Sequence, residues 1–123
     1  MTAVTLLLVS IAGAAGAAAR YGISNLFHGD SLPWATVGIN VVGSFLLGVL
    51  VVLPWDWIGP EARVALGVGL LGGFTTFSTF SVQAVLDFEA GLPLRAFAYI
   101  AASVLLSLGA AAVGYFGARS LFA

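Results

Sequence analysis

The side chains of this sequence that can do chemistry concentrate in residues 72–81, GGFTTFSTFS, where hydroxyl groups alternate with phenyl rings. The block lies inside a hydrophobic run, residues 64–86, that has no charged side chain. A hydroxyl at the depth of a bilayer core must hydrogen-bond to protein, water or an ion, because lipid offers no partner. Phenyl edges carry partial positive charge, so rings presented edge-on can stabilise a small anion. The block is typical of an element that conducts or binds an ion inside a membrane.

The two glycines that open the block predict a break in the helix that contains them. Broken helices at membrane depth are tolerated where the freed backbone groups line a cavity or hold an ion. We therefore expect the third hydrophobic helix to be broken at Gly72 and Gly73, near the middle of the membrane.

Polar side chains at helical spacing extend the block into a line. Thr76, either Thr79 or Phe80, and Gln83 form a second stripe, next to the face that Phe77 and Phe80 share. On the fourth hydrophobic run, two further polar side chains are four residues apart and share a face: Tyr99 and Ser103. Such a polar line through an apolar bundle is what an ion needs and what a simple membrane anchor does not.

Two earlier polar residues each have two interpretations. The carboxamide of Asn40 has two donors and two acceptor lone pairs, so it can form an interhelical hydrogen bond or donate to a dehydrated anion. Arg20 lies near the end of the first run, where it can extend to the interface or form a vestibule that attracts anions.

Composition excludes most other kinds of protein. Only 7% of the residues are charged, whereas soluble domains carry roughly a quarter, so the chain is an integral membrane protein. The net charge of −1 excludes a basic nucleic-acid patch, and the absence of cysteine excludes disulfides and thiolate chemistry. We expect the single histidine, His28, to be a loop residue, because one His is a poor metal site. With no acid pair or Ser–His pair inside the membrane, we expect no enzyme.

Four hydrophobic stretches are long enough to cross a bilayer as helices, at about residues 2–23, 33–53, 62–86 and 94–118. They predict one all-α transmembrane domain over residues 1–123, since none shows the alternation of a barrel strand. The triplet at residues 17–19 resembles a signal-peptide cleavage site. We expect it to be retained, because no positive residue precedes the first run and three spans follow.

The arginines give no orientation signal. Arg20 and Arg95 flank the side opposite the termini, whereas Arg63 and Arg119 flank the side that the termini share. An excess of Lys and Arg marks the cytoplasmic side, and this chain has none, which favours insertion in both orientations. Two oppositely inserted copies would form an antiparallel homodimer with an isologous interface. The alternative is a single orientation set by other factors.

The chain resembles the Fluc (CrcB) family of fluoride channels over essentially its whole length. Three segments carry the resemblance: GAAARY at residues 16–21, GINVVGSFLLG at residues 38–48 and the block at residues 72–81, which is the most specific. The resemblance implies a passive fluoride-selective channel in the bacterial inner membrane that lowers cytoplasmic fluoride without nucleotide. It also implies a dual-topology antiparallel homodimer with two pores and a central structural sodium ion.

The resemblance assigns roles by motif position. Backbone carbonyls of Gly72 and Thr75 would hold the sodium ion, and oxygen ligands suit a hard cation. Arg20 would attract anions in a vestibule. Gln83 stands where many relatives carry Glu, which leaves a hydrogen-bonding role but puts a charged role in doubt. The remaining pore residues implied in this way are Asn40, Phe77, Ser78, Thr79, Phe80, Tyr99 and Ser103.

Two other functions compete with the channel. A small dual-topology four-helix antiporter that exchanges protons for cations or drugs needs a carboxylate inside the membrane, and the first span has none between residues 2 and 19. A structural or assembly subunit would leave both the hydroxyl–phenyl block and the polar line without a use.

Overall fold

A computed structural model describes residues 1–27 and 33–122 as a bundle of helices. In chain order these are α1 (Ala3–Leu26), α2 (Trp34–Val52), α3, α4 (Phe77–Glu89) and α5 (Pro93–Phe122), where α3 comprises Pro60–Val64, Ala65–Leu71 and Gly72–Phe74. Among the described residues, four helical segments are long and apolar enough to cross a membrane, the third being Pro60–Glu89, which contains α3 and α4. The predicted all-α membrane fold with four spans is confirmed. The expected loop position of His28 lies outside the described residues.

Local sequence signals account for the helix ends. The Thr2 hydroxyl accepts a hydrogen bond of 3.1 Å from the Thr5 amide and caps α1. Between α4 and α5, Gly91 adopts a φ of 74°, which glycine adopts without strain. The Leu92 N–H then donates to the Asp87 carbonyl at 2.9 Å, and this Schellman turn sends α5 back alongside α4.

Glycines bring α1 and α3 into backbone contact. A Cβ atom added to Gly69 would lie 2.8 Å from the carbonyl oxygen of Val9, and one added to Gly16 would lie 2.8 Å from the amide nitrogen of Phe74. In lipid, where no hydrophobic force draws helices together, such close van der Waals packing holds them.

Glycines serve the second helix pair, α2 and α5, in the same way. Gly48 faces the carbonyl of Ala111, and Gly114 faces the carbonyl of Phe45, so neither position has room for a side chain. The bundle is therefore two close helix pairs, α1 with α3 and α2 with α5, and α4 adds to the second pair.

Arg63 ties the start of α3 to the end of α2. Its guanidinium donates to the carbonyls of Leu50 at 2.6 Å, Leu53 at 2.8 Å and Pro54 at 3.3 Å. It also lies 4.2 Å from the ring centroid of Trp55. Three carbonyls at the C-terminal end of α2 thus receive a cation, which the helix dipole favours. Those of Leu50 and Pro54 also accept the backbone amides of Leu53 and Trp57.

The third span is broken three residues later than the glycine pair predicts. Gly72 is helical, with φ −64° and ψ −37°, whereas Thr75 and Thr76 are extended, with ψ of 159° and 123°. Gly73 is needed for packing instead, because a Cβ atom there would lie 3.1 Å from the Cα of Gly13. The break is confirmed, and its expected position at Gly72 and Gly73 was wrong.

The segment that leads into the break is itself unusual. Ala65–Leu71 is a π-helix, which closes through the Gly72 amide and the carbonyl of Gly67 five residues earlier. π-Helical turns are rare and occur frequently at functional sites.

Candidate functional site

Two threonines form the break by ending one helix and starting the next. The amide and the hydroxyl of Thr75 both donate to the Leu71 carbonyl, at 3.0 Å and 2.9 Å, and close α3. The Thr76 hydroxyl accepts the Thr79 amide at 3.3 Å and caps α4. Hydroxyl groups therefore replace part of the backbone bonding that the break removes.

Asn40 on α2 closes the other side of the break. Its Nδ2 donates to the Thr76 carbonyl at 2.9 Å, and its Oδ1 accepts the Thr76 amide at 2.8 Å. Of the two interpretations of Asn40, the interhelical bond is therefore present. An Asn amide has two N–H donors, so one remains for another acceptor in the neighbouring cleft.

The break leaves two backbone carbonyls without their helical donors. The Thr76 amide bonds to Asn40 instead of to the Gly72 carbonyl four residues earlier. The Thr79 amide bonds to the Thr76 hydroxyl instead of to the Thr75 carbonyl. Gly72 and Thr75 both line the cleft described below. The possible ligand atoms at the break are therefore neutral carbonyl oxygens, which suit a hard cation. The described residues contain no group of three or more His, Cys, Asp or Glu that could hold a metal ion.

Arg20 reaches the same break from α1. Its Nε donates to the carbonyl of Gly73 at 3.1 Å, and its side chain is half-buried. The guanidinium therefore lies at the C-terminal end of α3, where the helix dipole is negative.

Two of the three phenyl rings of the block, those of Phe77 and Phe80, share a helix face but differ in exposure. Their centroids are 5.4 Å apart with an interplanar angle of 64°, an edge-on arrangement. Phe80 is only 7% exposed and packs on Tyr99, whose ring centroid is 5.3 Å away. Phe77 is 77% exposed. Phe80 therefore contributes to the core, and Phe77 presents its ring to the open face of the bundle.

Tyr99, Ser103 and Ser107, which we name the hydroxyl stripe, follow one face of α5 at intervals of four residues. Their three hydroxyl oxygens are buried, and none makes a hydrogen bond of good geometry within the described part of the chain, although the Tyr99 hydroxyl lies near those of Thr36 and Ser103. A buried polar group without a partner costs about 1–3 kcal/mol, so these hydroxyls require water or an ion. Ser107 was not among the residues predicted from the sequence, although its spacing from Ser103 could have identified it.

An open cleft of about 430 Å³ brings these groups together. Of the residues expected in the ion path, Asn40, Phe77, Phe80 and Ser103 line it; its other polar side chains are Ser44, Thr75, Thr76 and Ser107. The other residues expected in the ion path are not part of the lining. Ser78 and Thr79 are exposed on the first turn of α4, Gln83 is half-buried one turn further, and Tyr99 lies behind Phe80.

The groups in the cleft are suited to one task, which is to replace the water around a small anion. It offers hydroxyl donors, one amide donor and phenyl edges in an apolar surrounding, and Arg20 is the cation closest to the break. These groups can replace water around a small anion, whereas they supply neither a nucleophile–base pair nor a carboxylate within the cleft lining.

Comparisons with known proteins agree with this chemistry. Residues 7–115 match the family described as CrcB-like protein, Camphor Resistance (CrcB). The chain is 43% identical to a Caulobacter vibrioides protein named "Fluoride-specific ion channel FluC", over 96% of this chain and 98% of that one. Proteins of the same name from Agrobacterium fabrum and Rhodospirillum centenum are 44% and 50% identical, over 97% and 85% of this chain and 99% and 86% of theirs.

Proposed function

Because this chain belongs to the CrcB family, and its relatives are named fluoride-specific ion channels, we propose that it is a fluoride-selective channel that spans a bacterial membrane. The observation that carries the proposal is the hydroxyl stripe, whose three buried hydroxyls make no hydrogen bond of good geometry in the described chain. A channel exports the ion passively and needs no nucleotide. The named relatives argue against a proton-coupled cation antiporter and against an enzyme.

During conduction, hydrogen-bond donors of the protein replace the water molecules that hydrate fluoride. Ser103 and Tyr99 donate their hydroxyls, and Asn40 donates its remaining N–H, which the Thr76 backbone holds in place. The ring edges of Phe77 and Phe80 add partial positive charge without a formal ion pair. Weak, repeated contacts of this kind let an ion enter and also let it leave.

The other expected path residues act at its edges. Arg20 raises the local anion concentration near the break, because a guanidinium in a poorly solvated position has a long-range field. Ser78, Thr79 and Gln83 are proposed to extend the polar track along α4, where they supply hydrogen bonds and no charge.

A second copy, inserted in the opposite orientation, is proposed to cover the cleft. The cleft is open along one side, and its lining is mostly apolar. The even distribution of arginines leaves both orientations accessible. An antiparallel pair about a twofold axis in the membrane plane would give two equivalent paths.

A structural sodium ion is proposed at the break, held by the carbonyls of Gly72 and Thr75 from both copies. Both carbonyls lack their helical donors, so the donor set fits a hard monovalent cation. The positive charge of the ion would offset the mutual repulsion of these carbonyl oxygens.

The channel is tested with purified protein in liposomes, by reading fluoride efflux with an electrode and measuring chloride in parallel. We expect fast fluoride loss without chloride loss, abolished by Phe80→Ile and reduced by Phe77→Ile. Phe97→Ile is the matched control, because Phe97 is 61% exposed and pairs only with Phe88 among the described aromatic contacts. Folded wild-type protein that releases no fluoride in sodium buffer would refute the function.

The dimer and its topology are tested separately. The chain has no cysteine, so Ser120→Cys on exposed α5 introduces a unique label site. A membrane-impermeant maleimide should label about half of the protein from each side of sealed vesicles if both orientations are equally populated. Labelling from one side alone would contradict dual topology.

A further inference from the structure

An ion pair with one buried and one partly exposed partner lies at the end of the hydroxyl stripe nearest the turn between α4 and α5. Asp87 in the last turn of α4 and Arg95 in the first turn of α5 approach to 3.4 Å between Oδ2 and Nε. Neither atom makes a hydrogen bond within the described chain, so the contact is purely between charges. The Nε–H is buried against Asp87, so the two terminal amino groups of the guanidinium are the donors that can meet water or another anion.

Helix stability does not explain these positions. The C-terminal end of a helix dipole is negative and disfavours Asp87, and the N-terminal end is positive and disfavours Arg95. Each side chain therefore carries a charge of the same sign as the nearby end of its own helix dipole. A role other than helix capping must account for the pair.

The pair is oriented with its positive half toward water. The Asp87 side chain is 5% exposed, whereas that of Arg95 is 29% exposed. An ion that approaches this end of the bundle meets the guanidinium first, with the carboxylate behind it. Glu89 is also near, but it lies two residues beyond Asp87 and hence on a different face of α4.

Arg95 also heads the hydroxyl stripe. It precedes Tyr99 by four residues, so Arg95, Tyr99, Ser103 and Ser107 form one continuous line along α5. The line begins with a partly exposed cation and continues with hydroxyls that make no hydrogen bond of good geometry in the described chain. It ends in the cleft, which Ser103 and Ser107 line.

We infer that Arg95 recruits small monovalent anions to the outer end of the hydroxyl stripe, and that Asp87 is the counter-charge that partly offsets the field of its guanidinium. The inference rests on the proposed fluoride conduction and adds to it an anion-recruiting group separate from Arg20. A recruiting charge acts through its field, so its effect must fade as salt screens it.

The test measures initial fluoride efflux from liposomes at a low fixed fluoride concentration, in sodium gluconate at ionic strengths of about 10 mM and about 1 M, where the Debye length falls from about 30 Å to about 3 Å. We expect Arg95→Gln to lower the rate at least about threefold at low ionic strength and to change it little at high ionic strength. Arg95→Lys should retain the wild-type rate at low ionic strength, since it keeps the charge.

Asp87→Asn gives an independent result if Arg95→Gln does not fold. It leaves the guanidinium without its counter-charge, so the rate at low ionic strength should rise and depend more steeply on salt. Arg119→Gln is the matched control, because Arg119 is exposed at the far end of the same helix.

Three outcomes would overturn the inference. They are an Arg95→Gln rate equal to wild type at both ionic strengths, an equal reduction at both, and an Asp87→Asn rate that does not rise. The equal reduction would indicate a structural role only. A folded wild-type protein that conducts no fluoride would instead refute the function on which the inference rests.

Discussion

The side chain of Asn40 pairs with the backbone of Thr76 through both ends of its amide, at 2.9 Å and 2.8 Å. The two residues are 36 positions apart, on α2 and at the break between α3 and α4. The amide thus supplies one donor and one acceptor where the helix supplies neither. The shape of the break depends on this pair, because the freed Gly72 carbonyl follows from the loss of the Thr76 amide to Asn40.

Asn40→Asp should damage both the break and conduction. The carboxylate keeps an acceptor for the Thr76 amide but places a second oxygen against the Thr76 carbonyl, and it offers no donor to an anion. We expect the free energy of unfolding to fall by about 1–3 kcal/mol and fluoride efflux to fall at least about tenfold. Thermal unfolding in detergent and liposome efflux measure the two effects.

Asn25→Asp is the matched control, since Asn25 is exposed near the end of α1. The same chemical change there should alter stability by less than about 0.5 kcal/mol. An Asn40→Asp channel with wild-type stability and efflux would show that the pairing does not hold the break.

Gly16→Ala should loosen the contact between α1 and α3. The added methyl group would collide with the Leu70 carbonyl and lie 2.8 Å from the Phe74 amide nitrogen, which are both backbone atoms that cannot rotate away. We expect a loss of about 1–3 kcal/mol in the free energy of unfolding, measured by thermal unfolding in detergent. Gly22→Ala on the same helix has no atom within 4 Å of its new methyl group and should be neutral or stabilising. Equal stability of the two variants would contradict the packing argument.

Arg63→Gln should destabilise the fold without changing ion selectivity. The variant loses the cation that binds the carbonyls of Leu50, Leu53 and Pro54. Hydrogen bonds to a charged group contribute about 1.5–3 kcal/mol, so a loss of that order is expected in detergent unfolding. Arg119→Gln, at an exposed arginine, should unfold like wild type. A changed ratio of fluoride to chloride efflux in folded Arg63→Gln protein would place Arg63 in the ion path instead.

Removal of sodium tests the proposed cation site. Replacement of sodium by N-methylglucamine should lower the unfolding temperature and stop fluoride efflux, because a ligand that binds only the folded protein stabilises it by mass action. Return of sodium should restore both, and replacement of chloride by gluconate at constant sodium is the control for salt in general. Stability and efflux that do not depend on sodium would eliminate the site at Gly72 and Thr75.

The four spans and the chemistry of the block at residues 72–81 are readable from the sequence, and so is the existence of a break. Hydrophobic length is a property of consecutive residues, and hydroxyls at that depth have no partner in lipid whatever the fold around them. Helical spacing likewise places Tyr99 and Ser103 on one face before any contact is known.

The position of the break and the partners of its polar groups depend on residues far apart in the chain. Gly72 and Gly73 have the weakest intrinsic helix propensity of the block, yet they stay helical because Gly73 packs on Gly13 of α1. The chain opens instead at Thr75 and Thr76, where side-chain hydroxyls and Asn40 can replace the backbone bonds.

The partners of the arginines could not be predicted from the sequence either, because they too depend on tertiary contacts. Arg20 bonds to Gly73, 53 residues away, and Arg95 meets Asp87 only because the Schellman turn at Gly91 folds α5 back on α4. A buried polar group takes whichever partner tertiary packing brings within about 3 Å, and residue type limits that choice without deciding it.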